Sequence, residues 1–73
     1  IRYINGWQLH SYVEHGSTGV EGMAISARHL VGGHHFIRRF PLDPGQSAKE
    51  AADFIDDRLF EVTGVTDDGT LLF

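Results

Sequence analysis

The hydrophobic period of this chain changes once, near residue 43, and that change limits the fold more than any other feature. Before it, apolar and polar residues alternate. After it, apolar residues recur every three to four positions. A period of two belongs to a half-buried strand and a period near 3.6 to an amphipathic helix. The switch falls on Asp43-Pro44-Gly45-Gln46-Ser47, a turn that leads into a helix start. The charge divides at the same place. Residues 1–42 carry a net +2 and all five histidines, and residues 43–73 carry a net −6.

Trp7, Leu9, Ser11 and Val13 share one parity, and Gln8, His10, Tyr12 and Glu14 the other, which predicts a strand over about 7–14. His15-Gly16-Ser17-Thr18-Gly19 reads as a five-residue loop. A second strand is expected over 20–31, with Met23, Ile25 and Ala27 on one face. Gly32-Gly33 reads as the two-residue turn of a hairpin, because a type I′ turn needs positive φ at both central residues. A third strand over 35–42 places Phe36, Phe40 and Leu42 together, and Pro41 suits its end. These loops set Ile25 opposite Phe40 and Leu9 opposite Ile25, with the large apolar side chains all on one face. Ile1–Gly6 is ambiguous beyond the Asn5-Gly6 turn signal.

Ser47-Ala48-Lys49-Glu50 is a capping box. Ala48, Ala51, Ala52, Ile55, Leu59 and Val62 follow as one stripe at 100° per residue, and Gly64 suits a C-terminal stop. A helix over about 48–62 is expected. Packing its stripe on the apolar sheet face buries both. The expectation is one α+β domain over residues 1–73, β-β-β-α, with a short apolar C-terminal tail. Its predicted core is Trp7, Leu9, Val13, Met23, Ile25, Phe36, Phe40, Leu42, Ala51, Ile55, Leu59 and Val62.

This element order resembles the three-strand-plus-helix DNA-binding domains of a class of plant transcription factors and of phage-integrase arms. The residues that carry the likeness are Trp7 early in the first strand, Phe40-Pro41-Leu42, and Ser47-Ala48-Lys49-Glu50-Ala51-Ala52, about a third of the chain. The resemblance is one of topology. It implies a sheet face able to lie against nucleic acid, although the strands here carry fewer Arg and Lys than that group's.

Size and composition narrow the functional classes. A chain of 73 residues buries only ~60% of its unfolded surface and encloses a substrate pocket poorly. There is no cysteine, so neither disulfide staples nor thiolate chemistry is available, and a reducing, cytoplasmic location is expected. No apolar run approaches the ~20 residues of a membrane span. The net charge of −4 disfavours nucleic acid as the main partner.

Four groups of residues are candidates for binding or chemistry. The sheet face away from the helix is expected to expose Gln8, His10, Tyr12, Arg28, His35 and Arg39: guanidinium forks for phosphate or carboxylate, with rings for stacking. A solvated polar face is the bland alternative. The five histidines match no metal-ligand spacing, so no metal or cofactor is expected. Asp53, Asp56 and Asp57 share a helix face without a phosphate loop or nucleophile nearby, which reads as solvated. Phe60 interrupts that acidic face. With the tail residues Leu71, Leu72 and Phe73 it forms a candidate interface patch, closed either by the tail folding back or by a second copy.

The reading is a non-enzymatic binding or assembly module for a protein partner or itself, a homodimer included. The alternative is nucleic-acid binding through the basic sheet face, and an enzyme is a distant third.

Overall fold

A computed structural model describes residues 1–73. The chain folds as β1 (Arg2–Ile4), β2 (Trp7–Gly16), β3 (Gly19–His29), β4 (His35–Phe40), α1 (Ala48–Glu61), β5 (Gly64–Val65) and β6 (Leu71–Leu72). The first four strands form one antiparallel sheet in the order β1-β2-β3-β4, and β5 and β6 form a separate two-stranded hairpin. Helix α1 packs across β2 and β3. The α+β architecture is the expected one, with a fourth strand at the N-terminal edge.

That extra strand comes from the Asn5-Gly6 turn. Asn5 (φ 48°) and Gly6 (φ 83°) both occupy positive φ, which a two-residue type I′ hairpin needs. Gly32-Gly33 does not behave this way, because only Gly33 has positive φ. The His29 N–H instead donates to the His34 carbonyl at 2.8 Å, and the Gly33 N–H to the His29 carbonyl. This makes a longer loop over residues 30–34. Phe40 therefore stands opposite Met23, and Ile25 opposite Arg38. The first hairpin is also corrected. Ser17-Thr18 is its tip, Gly16 faces Gly19, and a bulge beside Glu14/His15 sets Leu9 against Ala27. Both registers differ from expectation by two residues. The parity of every strand survives, and so does the assignment of faces.

The core comprises Trp7, Leu9, Met23, Ile25, Ala27, Phe40, Ala51, Ile55, Leu59, Val62 and Leu71. Val13 and Leu42 lie half-buried at its margin. Phe36 was expected inside but is 37% exposed, because α1 lies over β2 and β3 rather than β4. What covers part of Phe36 is the C-terminal hairpin. Gly69 (φ 86°) rests directly on its ring, where any side chain would collide.

Helix α1 begins with the expected capping box. The Glu50 N–H donates to Ser47 Oγ at 3.1 Å, and the Ser47 N–H to Glu50 Oε1 at 3.2 Å. Its C-terminus departs from expectation. Gly64 is not a left-handed cap but part of β5, opposite Leu72. The terminal carbonyls are taken instead by Arg2, whose Nη1 donates to the carbonyls of Leu59 (2.9 Å), Phe60 (3.0 Å) and Val62 (2.6 Å). A cation at that end also complements the helix dipole.

Candidate functional site

No element covers the sheet face opposite α1. The strand pairings align its side chains in rungs: Tyr3–Gln8–Arg28–His35, then His10–Ser26–Ile37, then Tyr12–Ala24–Arg39, then Glu14–Gly22. All six candidate face residues, Gln8, His10, Tyr12, Arg28, His35 and Arg39, therefore share one surface. Tyr3 joins them. Gln8 Nε2 donates to its hydroxyl at 3.1 Å, and the phenol is well exposed. The Asn5-Gly6 turn was the signal for Tyr3, since a two-residue loop there fixes Tyr3 opposite Gln8.

The two guanidinium forks have different fates. Arg39 reaches diagonally over Ala24 to Glu14, with Nε to Oε1 at 3.0 Å and Nη2 to Oε2 at 3.2 Å. Ala24 lies between Tyr12 and Arg39 on this open face and is nonetheless fully buried. Gly22 makes room for the carboxylate, because a Cβ there would stand 2.8 Å from Glu14 Oε1. The Arg39 hydrogen bond holds the Glu14 carboxyl below its ordinary range and raises the Arg39 value in return. Arg28 has no hydrogen-bond or ion-pair partner. It lines a shallow depression with Ile1, Gln8, His10, Ser26 and His35, and no carboxylate lines it. The His10 and Tyr12 rings lie 5.9 Å apart beside it. The arrangement offers hydrogen-bond donors and flat rings to a ligand.

The histidines disperse. His29 packs edge-on to Trp7 at 4.9 Å, and its Nδ1 accepts the Gly32 N–H at 2.9 Å. No three His, Asp or Glu side chains converge in a metal-binding arrangement. The acidic helix face is partly engaged: Lys49 pairs with Asp53 at 2.8 Å, and the Ser11 hydroxyl donates to Asp56 at 2.6 Å.

The candidate interface patch of Phe60, Leu71, Leu72 and Phe73 comes apart. Leu71 is in the core, 4% exposed. Phe73 meets the edge of Phe40 at 6.2 Å, with the Arg58 guanidinium 4.1 Å above its ring. Leu72 is partly exposed opposite Gly64. The tail folds back as the partner of β5 and leaves Phe60 78% exposed, so it does not close the patch. Phe60 instead flanks a depression lined by Ile1, Arg2, Ser11, Asp56 and Leu59. Sequence reasoning missed two further basic residues, Arg2 at the helix end and Arg38. The Arg38 guanidinium lies 5.2 Å from the Phe40 ring centre and 5.6 Å from that of Phe73.

No protein-family model, curated protein or solved structure matches the chain. No helix is long and apolar enough to cross a membrane.

Proposed function

We propose that this chain is a non-enzymatic binding and assembly module that engages a protein partner through the open face of its four-stranded sheet. The observation that carries the reading is the uncovered face itself. Tyr3, at 64% exposure, and Ile37, at 46%, lie on an antiparallel sheet face beside the unpaired Arg28 guanidinium. Aromatic and aliphatic surface interleaved with hydrogen-bonding groups is what the centre of a protein interface uses. Nucleic-acid binding by the same face is the alternative. It would rest on Arg28 with His10 and His35, since Arg39 is held by Glu14.

The test compares the wild type with a Tyr3→Ser/Ile37→Ser variant, whose substitutions lie outside the core, and with Phe60→Ser. Proteins captured by the wild type and by Phe60→Ser, but not by the face variant, support the reading. Identical capture by all three sinks it. Light scattering of the same proteins reports self-association through the face. A mass shift with mixed-sequence DNA or RNA at ~50 mM salt, lost in Arg28→Glu and at higher salt, would transfer the function to nucleic acid.

A further inference from the structure

The outer edge of β4 is a surface of a different kind from the open face. β4 pairs with β3 on one side and with no strand on the other. The His29 N–H to His34 carbonyl bond sets the antiparallel alternation. By that alternation Phe36, Arg38 and Phe40 turn their N–H and C=O groups toward β3, and His35, Ile37 and Arg39 turn theirs outward. Five of the six residues of β4 are exposed, and the strand contains neither proline nor bulge. The opposite edge, β1, is only three residues long. Of the two arginines on β4, Arg39 is neutralised by Glu14, and Arg38 rests on two aromatic rings with no carboxylate beside it.

A second copy of the chain is a poor occupant. Antiparallel self-pairing must bring outward-turned residues opposite one another. Centred on Ile37, it sets Arg39 against His35 and Arg38 against Phe36. Centred on Arg38, it sets Arg38 against itself. No register brings a carboxylate to either arginine, because β4 contains none. Like charges directly opposite oppose pairing, and opposite charges favour it.

We propose that the outer edge of β4 takes an extended acidic–aliphatic peptide segment as a fifth strand, bonded to the backbone of His35, Ile37 and Arg39, with a carboxylate against Arg38 and an aliphatic side chain against Ile37. Strand addition of this type draws affinity from main-chain bonds and selectivity from alternate side chains. The proposal rests on the reading of a protein-binding module and assigns it a partner chemistry.

The probe is a blocked hexapeptide alternating Val and Glu, added up to about 1 mM. Amide hydrogen exchange of the protein is followed residue by residue. The His35, Ile37 and Arg39 amides should slow at least about tenfold, while those of Phe36 and Arg38, already bonded to β3, should change little. A peptide with N-methylated valines cannot make the edge bonds and should lose the effect. The Val–Lys peptide should bind more weakly, and Arg38→Glu should reverse that preference. Equal binding of the N-methylated or Lys peptide overturns the proposal, as does the absence of slowing at all three amides. Shifts confined to Gln8, His10 and Arg28 overturn it while leaving the face reading intact. Slowing that grows with protein concentration and needs no peptide assigns the edge to a second copy and also overturns it.

Discussion

Two side chains secure the ends of α1 by opposite means. Ser47 accepts a backbone N–H at one end, and Arg2 donates to three carbonyls at the other. Removing an N-cap hydroxyl leaves an orphan donor, so Ser47→Ala should cost about 0.5–2 kcal/mol by urea unfolding. Arg2→Ala strips a charged donor from half-buried carbonyls and should cost about 1.5–3 kcal/mol in the same measurement. The first of these was visible as a four-letter pattern. The second was not, because nothing local links Arg2 to residues 57–60 positions away. Glu14 yields a pH dependence. Its carboxyl is held below its ordinary range in the fold by Arg39, so the bond's stabilisation is present above the unfolded-state value, near 4.5, and is lost as pH falls through the lower folded value. The pair is exposed, and salt will weaken it. The fall in urea midpoint between pH 7 and pH 3 should therefore be smaller in Glu14→Gln than in the wild type. An equal fall in both would mean the pair does not hold in solution.

Among the elements, those long enough to repeat a period were legible and the short ones were not. β2, β3 and α1 each span ten or more residues and could be read from alternation or a stripe. β1, β5 and β6 span two or three, too few to show a period. Register was misread for a related reason. Loop composition does not reveal a bulge, and a glycine pair does not reveal which glycine carries the turn. The candidate face survived because a slip of two residues preserves parity, whereas a slip of one would have buried it. The stripe of α1 is tested by Ile55→Ala, which should cost about 2–5 kcal/mol. The C-terminal hairpin is tested by Leu71→Ala, expected to cost about 2–5 kcal/mol for a buried side chain. A loss below ~1 kcal/mol at Leu71 would mean that β6 does not seal the core.

For the whole molecule, the divided charge seen in the sequence becomes a divided surface. The strands carry the arginines of the open face and edge, and the helix presents Asp53, Asp56 and Asp57 on the far side. Phe60 stands among those carboxylates with nothing over it, so Phe60→Ser should change the urea midpoint by no more than ~0.5 kcal/mol equivalent. The order of strand pairing has a further consequence. β1, β2, β3 and β4 each join the next in sequence, so short loops close most of the sheet. The Arg2 bonds span more of the chain than any other side-chain hydrogen bond. Closing a long loop costs more chain entropy than closing a short one, and local contacts made first shorten the effective loop and lower that cost. Arg2 is therefore expected to act as a latch fastened after the barrier has been crossed, governing how long the folded state lasts rather than how quickly it is reached. In stopped-flow experiments Arg2→Ala should speed unfolding and leave the refolding rate unchanged.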